Sequence, residues 1–381
     1  MDFALSEEQE MLRRAARDFL EDKCPKTLVR EMETDEKGYS PALWQEMAGL
    51  GWMGLPFPES CGGSGMGFID LAVLLEEMGR ACLPAPFLSS VALGGLTILD
   101  AGSEAQKQQY LSRIASGDAI FTLALTEASA RYDAASIAVT ATAENDSYVI
   151  DGTKLFVPDA HIADYLLCVA RTSQEGNAED GLTIFIVDAP SPGLSHSVLK
   201  TISSDKLCEV VFDRVEVPAE NVLGQPGKGW EVVRRTIERG AVAKCCDLVG
   251  VVQRVLEMTL DYAKERRQFD RPIGSFQVIQ HYCAQMATDV DATRFSTYQA
   301  AWMLSEGLPC SKEVAIAKAW AGEAYERVVT LAHQIHGAIG CTIDHDLQFY
   351  TKRGKAAQLS FGDGDFHRET VAQQMGLCLR S

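Results

Sequence analysis

Short motifs that hold metal ions or nucleotide phosphates are absent from this sequence. None of its 11 cysteines has CxxC spacing, and it contains no HExxH, Walker loop or nucleophile elbow. His333 and His336 could share a helix face, but no third ligand accompanies them, so we expect no metal site. In a chain of this size, the cysteines are expected to be free buried thiols in a reducing compartment.

Positive charge is also scarce. The sequence has 35 Lys and Arg residues against 53 Asp and Glu residues, which gives a net charge of −18. No basic run exceeds three residues. An acidic chain repels nucleic acid and anionic membranes, so we expect neither as a partner. The N-terminal sequence MDFALSEEQE lacks the regions of a signal peptide, and no run of 18 apolar residues follows. These absences predict a cytoplasmic protein.

Hydrophobic residues, in contrast, make up 46% of the 381 positions, enough for two or three domains. The N-terminal third has the periodicity of helices. Ser6 can cap the first helix, with Gln9 at the position that reaches back to the cap. Further amphipathic helices are predicted over 68–79 and 103–116.

The pattern changes near residue 118 to short alternating segments without intervening helices. These segments are 137–142, 148–153, 165–169, 182–187 and 209–212. Such strands are typical of a small antiparallel barrel or sandwich and argue against a Rossmann domain. We therefore predict a central antiparallel β-barrel domain.

Helical periodicity returns after Gly229. It covers 230 to about 268, 276–307 and 311–336, and a last helix is predicted to begin near Asp365. Long helices with short links predict an antiparallel four-helix bundle. The predicted class is mostly helical α+β, with an N-terminal helical domain (1–117), a central β domain (118–226) and a C-terminal bundle (227–381).

Four motifs resemble those of the acyl-CoA dehydrogenase family, and together they extend over essentially the whole chain. They are Pro58-Glu59-x-x-Gly62-Gly63-x-Gly65, the Thr126-Glu127 loop ending at Asp133, Tyr262-x-x-x-Arg266-x-x-Phe269 continued by Pro272-Ile273-Gly274-x-Phe276-Gln277, and Gln334-Ile335-x-Gly337-x-x-Gly340. The resemblance implies FAD-dependent dehydrogenation of an acyl-CoA substrate. It also implies a homotetramer, or a mixed oligomer, that passes electrons to an electron-transfer flavoprotein.

The resemblance further implies which residues bind FAD. Leu125 and Thr126 would face the isoalloxazine ring, and Phe156 would stack near it. Arg266 would reach the pyrophosphate of a neighbouring subunit's FAD, since a guanidinium offers forked donors to phosphate oxygens. The other positions assigned to the cofactor are Phe269, Ile273, Gln277, Gln334, Gly337, Gly340 and Asp363.

Each of these roles has an alternative that needs no cofactor. Arg266 could form a surface ion pair with Asp261 or Glu265. The glycines of the Gln334 motif could merely join two helices, and Phe156 could be a half-buried strand aromatic.

The sequence departs from the family's pattern at positions that matter for the chemistry. Phe361 stands where the commonest catalytic base is a Glu, and Pro158 stands where a Thr hydroxyl usually meets the flavin. Arg131 and Tyr132 are new to the Thr126 loop and, with Phe361, are assigned to the substrate. Arg131 would contact a phosphate or carboxylate of the substrate, or else lie on the surface.

Another carboxylate must then remove the α proton of the thioester. We predict Asp247, in the apolar helix segment 241–250, with Glu238 as its rival. The alternative for Asp247 is an ion pair with Lys244, one turn earlier.

Three functions remain open at this stage. The first is ordinary α,β-dehydrogenation with a displaced base, on a bulky, branched or cyclic acyl group. The second is modified elimination chemistry on a CoA thioester. The third is a cofactor-sharing subunit whose partner carries the base.

Overall fold

The computed structural model describes residues 4–377. The chain forms two compact units, each built from separate segments. Unit 1 is drawn from Met1–Arg30, Phe68–Leu83 and Ala241–Ser381, and unit 2 from Glu31–Gly67 and Pro84–Gly240. The three-domain division of the sequence stays a prediction. No helix in the described part is long and apolar enough to span a membrane.

The helices are, in chain order, α1 (Glu7–Lys23), α2 (Lys26–Thr34), α3 (Pro41–Gly49), α4 (Phe68–Ala81), α5 (Leu96–Ala101), α6 (Glu104–Ala115), α7 (Trp230–Glu265), α8 (Gln277–Ser305), α9 (Ser311–His336), α10 (Leu347–Leu359) and α11 (Gly364–Gln374). A π-helix covers Leu88–Gly95. The predicted cap of α1 is confirmed, because Ser6 accepts from the Gln9 N–H while the Gln9 side chain accepts from Ser6 N–H.

Among the described residues of unit 1, the regular secondary structure is helical apart from one short hairpin. In it α9 packs against α8, α10 and α11, and α4 packs against α1 and α8. Helices α1 and α4 of the N-terminal third therefore share a compact unit with the C-terminal helices, whereas α3, α5 and α6 belong to unit 2. Apolar side chains fill the interior, and all cysteines that the structure describes are free thiols, most of them buried.

Unit 2 contains the large sheet. Its strands are β1 (Phe121–Ala124), β2 (Thr140–Glu144), β3 (Ser147–Pro158), β4 (Tyr165–Arg171), β5 (Leu182–Asp188), β6 (Leu194–Leu199), β7 (Leu207–Pro218) and β8 (Val222–Leu223). The strand order is β6-β7-β3-β2-β4-β5-β8, with β1 paired to β4.

The predicted central antiparallel β-barrel is not confirmed. Strands β6 and β8 end the sheet, and within the described residues no ladder joins them. The sheet is also mixed, because β4 pairs in parallel with β1 and, at one position, with β2. Alternation along a strand indicates which side chains are buried, but it does not determine whether the edge strands meet.

Candidate functional site

Phe156 lies at an irregular point of β3. The pairing of β3 with β7 shifts register between Lys154 and Val157, as in a β-bulge. At this bulge Phe156 has a φ of 56°, in the left-handed region that a bulky residue rarely adopts. Its side chain is left 47% exposed. The bulge thus turns an aromatic ring out of the core, and such strained positions cluster at ligand sites.

Leu125 and Thr126 follow β1 and are attached to this bulge. The N–H of Leu155 donates to the carbonyl oxygen of Thr126 over 2.8 Å. The ammonium of Lys154 donates to the carbonyl oxygen of Leu125 over 3.1 Å. The end of β1 and the bulge of β3 are therefore joined, and together they carry three of the residues assigned to the flavin ring. Of these, Leu125 is buried and Phe156 is exposed.

Lys154 and Glu127 form a buried ion pair next to this surface. The Lys154 Nζ and Glu127 Oε1 atoms are 2.7 Å apart, and the two side chains are 0% and 8% exposed. Glu127 also accepts from the N–H groups of Ala138 and Val139, so both of its oxygens are used. Burial lowers the pKa of Lys154, although the Cys168 thiol and the Glu127 carboxylate act against this.

The rest of the Thr126 loop lies closer to solvent. Arg131 is exposed and pairs with Asp133, with 2.7 Å between Arg131 Nε and Asp133 Oδ2. The side chain of Asp133 in turn accepts from the N–H of Ser136 and so caps the 3-10 helix Ala134–Ser136. Tyr132 is half-buried. The surface alternative for Arg131 agrees with this geometry, and an exposed ion pair of this kind leaves its guanidinium able to move.

An exposed hairpin follows α7 in unit 1. Its strands are β9 (Arg267–Gln268) and β10 (Arg271–Pro272), and Phe269 at its tip is 86% exposed. The rings of Phe269 and Phe276 meet edge to face at 6.0 Å, and the Arg271 guanidinium lies 4.1 Å from the centre of the Phe276 ring. These contacts give an exposed arm a defined shape.

Arg266 enters this hairpin from the last turn of α7. Its side chain is exposed, and no described carboxylate lies within ion-pair distance of it. Asp261 pairs instead with Lys264, at 3.6 Å. The proposed ion pair of Arg266 with Asp261 or Glu265 is therefore not formed. Of the other residues assigned to the adenosine side, Gln277 is exposed and Ile273 is half-buried.

The two glycines of the Gln334 motif have different surroundings. Gly337 ends α9 with a φ of 64°, and a Cβ there would meet no atom within 4 Å. A Cβ on Gly340 would lie 3.0 Å from the Cβ of His336, so that glycine serves the packing of its own turn. Gln334 is exposed. Open space beside an exposed glycine at a helix end suits the close approach of a ligand.

The histidines near this turn are engaged with other groups. His333 hydrogen-bonds the Thr351 hydroxyl at 2.9 Å, and His336 hydrogen-bonds the Ala332 carbonyl oxygen at 2.8 Å. Across residues 4–377, no three His, Cys, Asp or Glu side chains form a group that could hold a metal ion.

Phe361 lies in a tightly held turn between α10 and α11. It has a φ of 58°. Its carbonyl oxygen accepts from His367 Nε2 at 2.9 Å, and the next carbonyl oxygen, on Gly362, accepts from Lys318 Nζ at 2.9 Å. Asp363, assigned to FAD, caps α11 by accepting from the Phe366 N–H over 3.0 Å.

Both side chains that hold this turn have altered acidity. Burial lowers the pKa of Lys318 to about 8. Burial, followed by the charge of Lys318, lowers the pKa of His367 to about 4. His367 is therefore neutral at physiological pH, and its Nε2–H donates to the Phe361 carbonyl oxygen.

The two candidate bases have different partners. Asp247, in unit 1, is 29% exposed, with Lys244 Nζ 3.5 Å from its Oδ2. Its backbone packs on Gly79 of α4, where a Cβ would come within 2.2 Å of the Asp247 carbonyl oxygen. Glu238, in unit 2, is 15% exposed and is held by Arg234 at 2.7 Å. The predicted alternative of an Asp247–Lys244 pair is thus present.

Sequence reasoning missed the roles of Lys154, Lys318 and His367. Lys154 lies in a strand and Lys318 in the apolar segment Ala315-Ile316-Ala317-Lys318-Ala319-Trp320. In each case a single cation in an apolar segment could have indicated a buried ion pair or hydrogen bond, because a buried charge needs a specific partner. Neither partner can be identified from sequence spacing.

The residues described above suit FAD in three separate respects. Phe156 offers an exposed aromatic ring, Arg266 a guanidinium without an internal carboxylate partner, and Gly337 an unobstructed backbone. These are the groups that a flavin ring, a pyrophosphate and a closely approaching cofactor require.

Comparison with known proteins agrees with this chemistry. The profiles of the acyl-CoA dehydrogenase N-terminal, middle and C-terminal domains match residues 6–118, 122–215 and 227–376. The chain is 34% identical to the probable acyl-CoA dehydrogenase YngJ of Bacillus subtilis, over 98% of this chain and all of that protein. It is 33% identical to the caffeyl-CoA reductase-Etf complex subunit CarC of Acetobacterium woodii, over 88% of this chain and 89% of that one.

A solved structure extends this agreement to the fold. In the ChsE4-ChsE5 complex of Mycobacterium tuberculosis, one chain superimposes with a TM-score of 0.91 at 28% identity, covering 100% of both chains. The chain therefore belongs to the acyl-CoA dehydrogenase family and is an FAD-dependent oxidoreductase that acts on acyl-CoA.

Proposed function

We propose that this enzyme dehydrogenates the acyl group of a CoA thioester between its α and β carbons, with Asp247 as the base. The α proton moves to the carboxylate of Asp247, and a hydride leaves the β carbon. Bound FAD would supply the redox chemistry for this step, as the acceptor of that hydride. The chain's own residues hold the cofactor, orient the thioester and remove the proton.

Leu125, Thr126 and Phe156 would hold the flavin ring, and Arg266 would bind a pyrophosphate. The attachment of Thr126 to Leu155 and the outward ring of Phe156 support the first assignment. The absence of a carboxylate beside Arg266, among the residues described, supports the second. The remaining cofactor assignments, Phe269, Ile273, Gln277, Gln334, Gly337, Gly340 and Asp363, rest on the family's motifs.

The observation that carries the choice of Asp247 is its lack of hydrogen bonds. Within the described chain its carboxylate has only the 3.5 Å contact with Lys244, whereas Glu238 accepts a 2.7 Å hydrogen bond from Arg234. A carboxylate oxygen that already accepts from a guanidinium is less free to meet a substrate proton than one without a hydrogen bond. Asp247 is also fixed in position, because its backbone packs against Gly79.

Asp247→Asn tests this choice, with Glu238→Gln as the matched control. Each change keeps the size of the side chain and removes its basicity. We expect Asp247→Asn to bind FAD normally and to lower turnover about a hundredfold or more, as for loss of a positioned base. Glu238→Gln should retain its turnover.

The opposite pattern would transfer the base to Glu238. Full activity in both variants would exclude both carboxylates as the base and would favour different chemistry or a base supplied by a partner subunit.

We further propose a bulky, branched or cyclic acyl group as the substrate, with Arg131, Tyr132 and Phe361 near it. The support is that all three positions differ from the family's usual pattern. A series of straight, branched and cyclic CoA thioesters tests this class. A clear preference for short straight chains would contradict it.

A homotetramer and an electron-transfer flavoprotein as electron acceptor complete the proposal. The exposed hairpin with Phe269 at its tip supports contact with a neighbouring subunit. A relative that is a subunit of a reductase-Etf complex supports the acceptor. Sedimentation of the purified enzyme tests the assembly, and reduction of an added electron-transfer flavoprotein tests the acceptor.

A second candidate is a cofactor-sharing subunit of a mixed complex. The observation in its favour is Phe361. This residue occupies the turn where the family's base commonly lies, and a phenyl ring cannot accept a proton from the substrate. The similar ChsE4-ChsE5 complex contains two different chains by name. Turnover by the purified chain alone would decide against this candidate.

A further inference from the structure

The buried Lys154–Glu127 pair has no part in the proton transfer proposed above, yet it lies beside the flavin-facing residues. Lys154 is 0% exposed and donates to two groups, Glu127 Oε1 at 2.7 Å and the Leu125 carbonyl oxygen at 3.1 Å. Both acceptors belong to the segment that carries Thr126. The lysine itself belongs to the strand that carries Phe156, two residues further along.

A buried ion pair is a costly way to fill a core. Removing two charges from water costs several kcal/mol for each, and apolar side chains of similar volume would often give an equal or more stable fold. What the ion pair adds is a fixed geometry, because its hydrogen bonds hold one strand in position against another. This is needed at a bulge, because the regular hydrogen-bond ladder of β3 is interrupted there.

The same carboxylate also fixes the far end of the Thr126 loop. Glu127 Oε2 accepts from the Ala138 N–H at 2.8 Å, and Oε1 accepts from the Val139 N–H at 3.1 Å. Arg171 holds the neighbouring stretch by donating to the carbonyl oxygens of Ala134 and Ile137. The loop between Glu127 and Val139 is therefore closed at its base on one buried carboxylate.

We propose that Lys154 and Glu127 are positioning residues that hold Leu125-Thr126 and Phe156 in register as one surface for the flavin ring. This inference rests on the proposed FAD role of those three residues. Neither charged group needs to touch the cofactor. Their effect is exerted through the Leu125 carbonyl, the Thr126–Leu155 hydrogen bond and the bulge at Phe156.

The test compares FAD binding in two variants with a matched control. Lys154→Met removes the ammonium, and Lys154→Met/Glu127→Gln removes both charges while leaving one side-chain oxygen to accept from one of the two loop N–H groups. The control is Lys228→Met, because Lys228 also pairs with a carboxylate at 2.7 Å, on Asp180, but its side chain is 68% exposed. The dissociation constant of FAD, the visible circular dichroism of the bound flavin and the melting temperature are measured for each.

The single variant is expected to be less stable, because it leaves Glu127 buried without its cation. The double variant should melt closer to the wild type than the single variant does, yet bind FAD roughly tenfold more weakly than the wild type, about the effect of one lost hydrogen bond, with altered circular dichroism of the flavin. Lys228→Met should match the wild type in all three measurements.

A double variant with the wild-type dissociation constant and circular dichroism would overturn the positioning role. If Lys154→Met does not fold, the double variant alone decides. A wild-type protein that binds no FAD would instead overturn the proposed function, so the two failures are distinguishable.

Discussion

The stability of the Phe361 turn should depend on pH through His367. Burial and the nearby Lys318 cation lower the pKa of His367 from its ordinary 6.5 to about 4. The ring donates through Nε2 to the Phe361 carbonyl oxygen, and among the described residues its buried Nδ1 has no partner. A proton added at Nδ1 would therefore be a buried charge without a hydrogen bond.

The sign of the effect follows from proton binding. Between pH 6.5 and 4 the unfolded chain binds more protons at this residue than the folded chain does, so the folded state loses stability as the pH falls. Well above pH 6.5 the imidazole of His367 is neutral in both the folded and the unfolded state, so this loss of stability is absent there. Going from pH 7.5 to pH 5, a pKa of about 4 implies a loss of about 2 kcal/mol from this group alone.

His367→Gln should remove this loss, because glutamine can still donate to the Phe361 carbonyl oxygen but does not titrate. The assay is urea unfolding of the FAD-loaded protein at pH 7.5 and pH 5, followed by circular dichroism. The free energy of unfolding should fall by about 2 kcal/mol less in the variant than in the wild type. His196→Gln, at an exposed histidine of β6, is the control. Equal losses in wild type and His367→Gln would show that His367 is not the group responsible for the loss.

Two further predictions concern the cofactor and the substrate. Arg266→Ala should weaken FAD binding roughly tenfold or more, the effect of a lost charge-assisted hydrogen bond, and Lys264→Ala should not; equal affinities in both variants and the wild type would remove the pyrophosphate role. Arg131→Ala should raise the Michaelis constant several-fold for dicarboxylic thioesters and leave monocarboxylic ones unchanged, since an exposed pair with Asp133 holds the guanidinium only weakly. Unchanged constants for both classes would exclude a substrate role for Arg131.

The helices were the most predictable part of the fold. The sequence pattern predicts a helix over 311–336, and α9 spans Ser311–His336. Its length and periodicity are local properties, so no distant contact is needed to recognise it. The capping box of α1 is equally local, since Ser6 and Gln9 satisfy each other. Helix α10 was not predicted.

The strands were less predictable because their partners are distant in sequence. Alternation predicts a strand over 137–142, but β2 begins only at Thr140. The N–H groups of Ala138 and Val139 are occupied by the carboxylate of Glu127, which a sequence pattern cannot reveal. The same limit explains why the barrel prediction is not confirmed, since an open mixed sheet and a closed antiparallel sheet can have the same alternation of apolar and polar residues.

For the candidate site, the sequence indicated which residues could bind the cofactor, but not which side chains hold the site's loops and turns in place. Its motifs assign Phe156, Thr126 and Arg266 to the cofactor, and these assignments stay predictions. The sequence did not reveal the ion pair of Lys154 or the hydrogen bonds of Lys318 at the Phe361 turn, because the partners lie 27 residues from Lys154 and 40 to 44 residues from Lys318. Contacts of that kind depend on the tertiary fold.

Anaerobic titration of the purified chain with acyl-CoA thioesters, followed in the visible flavin band, shows whether the chain binds FAD and oxidises a thioester. We expect a yellow protein, as isolated or after addition of FAD, whose flavin band bleaches when a thioester is oxidised. Asp247→Asn should keep the band but bleach about a hundredfold more slowly. A protein that stays colourless with added FAD, or that binds FAD and is bleached by no thioester, would not be the proposed dehydrogenase.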